Sequence, residues 1–174
     1  MAIIYVAGDL FHRSQSFSAL AHGCNCAGKM GRGIAVAFRK QFPAMYRDYQ
    51  QSCQIGAFVP GNTYPWRDGH QWIYNLATHG HWRSTAKLEY VHAALSVMML
   101  HARDQKVREI ALPRIGAGLG GLSWDDVRAA LARYQDAKTD LIVFETYTAD
   151  TAAIHRETVG TPRHPMAKSL GAGS

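Results

Sequence analysis

The sequence predicts an α/β protein, a three-layer sandwich with a largely parallel or mixed central sheet. Short apolar runs of strand type alternate with segments of helical periodicity through most of the chain. Runs such as "IIYV" and "LIVF" are apolar at consecutive positions, as in strands covered on both faces. A length of 174 residues with 47% apolar content fits one domain with a substantial core.

The elements come in order. "AIIYVAG" reads as a buried strand that stops at Gly8-Asp9, and "SFSALAHGCNCAG" as a second that ends in a loop. "IAVAFRKQF" is a short helix ended by Pro43, with a further helix over residues 44–53. "NTYPW" and "QWIYNLAT" flank "RDGH", where Asp68-Gly69 signals a hairpin. Over residues 84–104, Leu88, Val91, Leu95, Met98 and Ala102 recur at helical spacing and predict an amphipathic helix facing the core. "VREIALP" is the next strand, Ser123 with Asp126 approximates a capping box for "WDDVRAALARYQDA", and "DLIVFETY" is the last buried strand. Residues 1–150 form the expected domain, and 151–174, polar and without periodicity, a flexible C-terminal tail.

The charge of +6 suits phosphate-bearing partners. Arg156, Arg163 and Lys168 in the tail outweigh Glu157, so the domain itself is only mildly basic. No segment has the pattern of a signal peptide or the ~20 apolar residues of a membrane span, so a cytoplasmic protein without membrane partners is expected. Cys24, Cys26 and Cys53 are an odd set, expected as reduced thiols. Groupings of His22, Cys24 and Cys26, or of His79 and His81, lack the paired spacing of structural zinc, and no metal is expected.

The chemistry concentrates in two glycine loops. "ALPRIGAGLGGLSWDD" carries Gly116, Gly118 and Gly121 at the spacing G-x-G-x-x-G between a strand and a helix. An oxidoreductase fingerprint has some support, because Glu145 comes about 20 residues on, where a ribose-binding acid belongs. Position opposes it: such a fold opens with this loop, whereas only one helix and one strand remain here. A plain tight turn is the other reading of this loop alone. "NCAGKMGRGIAV" tips the balance, since it also comes after a strand and sets Gly31 and Gly33 at a helix N-terminus, where free N–H groups attract anions. Two such loops at one end of a sheet can clasp a diphosphate.

"VAGDLF", "HGCNCAGKMGRGIAVAFRKQFP", "YNLATHGHWR" and "LPRIGAGLGGLSW" together resemble the macrodomain family, in the branch of terminal ADP-ribose protein glycohydrolase and the DarG-type DNA ADP-ribosyl glycohydrolases. The resemblance spans residues 1–148 and implies a three-layer α/β/α macrodomain sandwich that binds ADP-ribose, with no cofactor. It implies that Asp9, flanked by Gly8 and Leu10, accepts from the adenine amino group, and that Asn25 meets the distal ribose. Met30, Gly31, Gly33 and Ile34 would line the diphosphate and distal ribose, with Ile115, Gly116, Ala117, Gly118, Leu119 and Gly120 as the opposite wall. Thr78 belongs to the same site, and Pro113 and Tyr147 are contacts at the adenosine end.

The pattern breaks where the branch places a nucleophilic lysine after the threonine of "NLAT", because this chain has His79 there. A further acidic residue of the terminal ADP-ribose protein glycohydrolase falls at Gly120, where DarG-type proteins also carry glycine. Histidine cannot reproduce imine chemistry, so Asn25, His79 and Gly120 mark the catalytic end of a water-mediated route, with His79 as base or as bystander and Lys29 as an alternative amine. The expectation is a hydrolase that removes mono-ADP-ribose from macromolecules, first from Glu or Asp of protein. "HGHWR" keeps ADP-ribosylated single-stranded DNA as a second substrate, with Trp82 and Arg83 meeting base and phosphate or Trp82 packing on the next helix. A non-catalytic ADP-ribose reader is the rival of another class.

Overall fold

The computed structural model describes residues 3–135 and 137–148; the expected tail, residues 151–174, lies outside them. The strands are β1 (Ile3–Ala7), β2 (Ala19–Asn25), β3 (Thr63–Asp68), β4 (Gln71–His79), β5 (Glu109–Pro113) and β6 (Asp140–Thr146). The helices are α1 (Ile34–Gln41), α2 (Pro43–Gln54), α3 (Leu88–Asp104) and α4 (Trp124–Ala132), with a 3-10 segment over Phe11–Ser16. The strands form one sheet in the order β1-β6-β5-β2-β4-β3. Every neighbouring pair is parallel except β3 and β4, a hairpin, so the sheet is mixed as expected.

Alternate residues of each central strand enter different cores. Ala19, Ala21, Tyr74, Leu76, Ile110, Leu112, Leu141 and Val143 pack with α3 and α4. Leu20, Cys24, Ile73, Ala77 and Ala111 pack with Phe38 of α1 and Met45 and Tyr49 of α2. Helices on both faces explain the consecutive apolar residues and complete the three layers.

Local corrections have physical causes. Pro43 does not merely end α1; it sits in the first turn of α2, where its missing N–H costs nothing. The hairpin turn is Gly69-His70, because Asp68 still pairs with Gln71, and Gly69 supplies the positive φ of +55°. Helix α3 begins at Leu88 rather than near 84, since the N–H of Ala86 is taken by the Gly120 carbonyl at 2.9 Å and that of Lys87 by the Thr78 carbonyl at 3.1 Å. Ser123 occupies the cap position of α4, yet its side chain makes no capping bond, so the expected capping box is not formed. Cys24, Cys26 and Cys53 are all free thiols. Among the described residues no helix is long and apolar enough to cross a membrane.

One polar side chain lies at the centre of the sheet. His22 is fully buried, stacks on Phe38 at 3.8 Å and 4°, and shares a 2.8 Å hydrogen bond between Nε2 and the Asn75 Oδ1. Burial pulls its pKa from 6.5 down to about 4, because the protonated ring would be stranded away from water. The unfolded chain therefore binds a proton between those values that the folded protein refuses, and stability rises with pH across the window. The unfolding free energy from denaturant titrations should fall as pH drops from 6.5 to 4, by about 3 kcal/mol for this residue in the full linkage. His22→Gln, which keeps a donor for Asn75, should flatten that acid limb, though His79 and His101, also lowered by burial, leave part of it.

Candidate functional site: a cleft between two glycine loops

The carboxyl ends of β2, β4, β5 and β6 open into a cavity of about 640 Å³, the place where open α/β sheets bind ligands. One wall is the loop after β2, with Lys29, Gly31, Arg32, Gly33 and the first turn of α1; the other is the loop after β5, from Pro113 to Gly120. The walls meet at the top, where a Cβ on Gly33 would come within 3.0 Å of Leu119 Cδ1.

Backbone hydrogen bonding defines the chemistry of the walls. Gly116 and Gly121, both at positive φ, fold the second loop into turns in which Ala117 donates to Arg114, Gly121 to Gly118 and Leu122 to Gly116. The N–H groups of Gly118, Leu119 and Gly120 have no protein acceptor among the described residues, and neither do those of Gly31, Arg32, Gly33 and Ile34 opposite. Helix α1 adds its positive end and has no acidic residue in its first turn. Lys29, Arg32 and Arg114 also line the cavity, against one acid, Glu145. This is an anion cradle made of backbone.

Asn25 builds the first loop more than it faces the cavity. Its Oδ1 accepts from the N–H of Ala27 at 3.0 Å, the N–H of Lys29 at 3.2 Å and the Tyr49 hydroxyl at 3.1 Å. Its Nδ2 gives one proton to the Lys29 carbonyl at 2.7 Å, leaving the other for a ligand. Tyr49 also donates to the Asn25 carbonyl at 2.6 Å, so a buried tyrosine of α2 holds the loop from beneath.

His79 ends β4 on the cavity floor, half-buried, and burial lowers its pKa. Its Nδ1 lies 2.9 Å from the Thr78 Oγ1. In the tautomer that donates from Nδ1 to this hydroxyl, with Thr78 in turn donating to the Cys24 carbonyl at 3.4 Å, the Nε2 lone pair is free. Beyond His79 the exposed Trp82 lines the cleft, with the Arg83 guanidinium 4.5 Å over its ring.

Of the residues expected at the site, Asn25, Gly31, Gly33, Ile34, Thr78, His79, Pro113, Ile115, Gly116, Gly118, Leu119, Gly120 and Tyr147 do line this cavity. Leu10 and Met30 are instead core residues on the α1–α2 side, and Ala117 packs against the opposite core. Gly8 abuts the Phe144 ring, and the Asp9 Oδ1 accepts from the Phe11 N–H at 2.8 Å, beside the cleft rather than in it. Gly120 has no room for a side chain of its own. A Cβ there would lie 2.5 Å from the Gly116 carbonyl oxygen and 3.0 Å from Ala86 Cβ, so no acidic side chain fits at this position. Arg32, Phe144 and Glu145 also line the cleft, beyond the ligand contacts expected from sequence; their signal is position, next to a glycine or at a strand's carboxyl end. Among the described residues no group of three or more His, Cys, Asp or Glu side chains could hold a metal ion.

Strand order, paired glycine loops and an anion cradle together define a nucleotide-binding α/β sandwich. The family model for the macro domain matches residues 21–131, and the chain belongs to that family. It is 35% identical over 133 residues to the DNA ADP-ribosyl glycohydrolase of Mycobacterium tuberculosis, covering 74% of this chain but only 37% of that protein's length. It is 34% identical over 139 residues to human ADP-ribose glycohydrolase OARD1, covering 80% and 87% of the two chains. Among solved structures, the macrodomain of Mycobacterium tuberculosis DarG superposes with a TM-score of 0.77 at 32% identity, over 85% of this chain and 98% of that one.

The steric contrast within one loop is directly testable. Gly120→Ala should destabilise the fold by about 1–3 kcal/mol through overpacking. Gly118→Ala, whose Cβ meets nothing within 4 Å, should leave the melting temperature nearly unchanged. Thermal melts of the two variants beside the parent check this.

Proposed function

We propose that the protein is an ADP-ribosyl hydrolase, binding ADP-ribose in the cleft and removing mono-ADP-ribose from macromolecules, with esters on Glu or Asp of proteins as the leading substrate. The observation that carries this reading is the set of seven unpartnered backbone N–H groups on facing loops, a match for a diphosphate. The relatives named for ADP-ribosyl glycohydrolysis support it.

Water is the nucleophile in this reading. Its oxygen forms a bond to the anomeric carbon of the distal ribose as the bond from that carbon to the ester oxygen breaks, and its proton passes to His79 Nε2. The diphosphate steadies the positive charge that develops on the sugar. The leaving group has no acid to protonate it, since Glu145, the single acid of the cavity lining, ends β6 while His79 ends β4. A carboxylate departs as an anion without that help, which favours an ester over an alkoxide or amide linkage.

A second reading has its own observation. Trp82 with Arg83 stacked on it sits on the rim beside His79, suited to a base and a phosphate of single-stranded DNA. Incubation with ester-linked ADP-ribosylated protein and with thymidine-linked ADP-ribosylated oligonucleotide separates the cases. Release from the protein supports the leading reading, release from the oligonucleotide alone selects the second, and tight ADP-ribose binding with release from neither leaves a reader. His79→Ala should keep ADP-ribose affinity and lose turnover. In the parent, the acid limb of the rate profile should fall below the ordinary histidine pKa of 6.5, because burial keeps the ring neutral. Gly118→Glu, placing a carboxylate among the N–H groups where space allows a side chain, should abolish ADP-ribose binding by calorimetry.

A further inference from the structure

We propose that Glu145 accepts a hydroxyl of the adenosine-side ribose and makes the cleft select against nucleotides phosphorylated there, an assignment that rests on the ADP-ribose reading. The sheet lays out the ligand in strand order. His79 ends β4, the first glycine loop comes after β2, the second after β5, and Glu145 with Tyr147 stands at the end of β6. From β4 to β6 is three strand spacings, about 14 Å at ~4.8 Å each. A diphosphate held between the β2 and β5 loops puts one ribose toward His79 and the other toward β6. Phe144 and Tyr147 offer aromatic surface for the base on that side, and Asp9 comes after β1, one strand further out.

Glu145 is built as an acceptor. Its Oε1 receives the Trp124 Nε1–H at 2.6 Å and the Arg128 guanidinium at 3.0 Å. Both bonds fall on that one oxygen, so Oε2 has no protein partner among the described residues, in a side chain that lines the cavity. The anchors are themselves fixed: the Arg128 guanidinium lies 4.3 Å over the Tyr5 ring, Arg114 lies 5.0 Å over the Trp124 ring, and Tyr5 meets Trp124 edge to face at 6.3 Å. A carboxylate held this way can accept from a ribose hydroxyl and repels a phosphate in the same place, the logic by which dinucleotide sites tell the two apart.

The test compares ADP-ribose with ADP-ribose 2′-phosphate by calorimetry. The parent protein should prefer ADP-ribose by about tenfold or more, the scale of a lost charge-assisted hydrogen bond plus like-charge repulsion. Glu145→Gln keeps an oxygen for Trp124 and Arg128 and turns an amide toward the ligand. It should weaken ADP-ribose binding about three- to tenfold and strengthen binding of the 2′-phosphate, a gain that mere damage to the fold would not produce. Equal affinity of the parent for the two ligands would overturn the assignment of Glu145 and leave the ADP-ribose reading standing, and needs no variant to fold. A folded Glu145→Gln protein with the parent's full preference would overturn it too. No binding of either ligand would bring down both.

Discussion

The structure turns on keeping two sets of backbone N–H groups unsatisfied inside one cleft. The residues that carry them are exposed or half-buried, so solvent reaches their N–H groups and the constraint is one of aim: donors from two loops converge on one place only if both loops are held by what surrounds them. Parallel pairing of β2 with β5 sets their carboxyl ends side by side. The first loop is then pinned by Asn25 and by Tyr49 from α2, the second by its internal turns and by the Ala86 N–H on the Gly120 carbonyl. The short chain from Ser84 to Lys87 joins the sheet to the second loop, since Lys87 also bonds to Thr78 beside His79. A phosphate entering the cleft would satisfy donors that have no protein acceptor among the described residues.

The same framework confines what catalysis can use. Position 120 is sterically closed to a side chain, so an acid cannot be supplied from there. Asn25 has most of its hydrogen-bonding capacity committed to loop shape, leaving one N–H. His79 lines the same cavity, with its Nδ1 2.9 Å from the Thr78 hydroxyl, which is also 3.4 Å from the Cys24 carbonyl. Where the resemblance places a lysine the chain has a half-buried histidine, which the proposed route uses as a proton acceptor rather than as a nucleophile.

Much of this is legible in the sequence because it depends on local patterns. The runs around Val6, Leu20, Ile73, Ala111 and Val143 are strands, and both glycine loops are where the motifs put them. The departures share a cause. Residues 84–87 continue the helical spacing of α3 toward its N-terminus, but tertiary hydrogen bonds to Thr78 and Gly120 outweigh propensity. Ser123 has the right identity for a cap and its side chain makes no capping bond. Leu10 and Met30 stand beside motif residues and still turn into the core, because the direction of a loop side chain depends on packing that no one-dimensional pattern encodes.

Glu145 shows how a rejected reading can still hold physical content. Its distance along the chain from the second glycine loop suggests a ribose-binding acid in a dinucleotide fold, and the strand count rules that fold out. Yet the spacing reflects geometry common to both architectures: a loop, a helix and a parallel neighbouring strand return the chain to the same edge of the sheet, so an acid ending that strand stands beside whatever the loop holds. What changes is the direction in which the nucleotide runs, set here by the second glycine loop on β2. On the proposed reading, an acid at the end of β6 meets the ribose on the far side of the diphosphate from His79, so the residue assigned to ligand selection and the residue assigned to chemistry stand three strands apart.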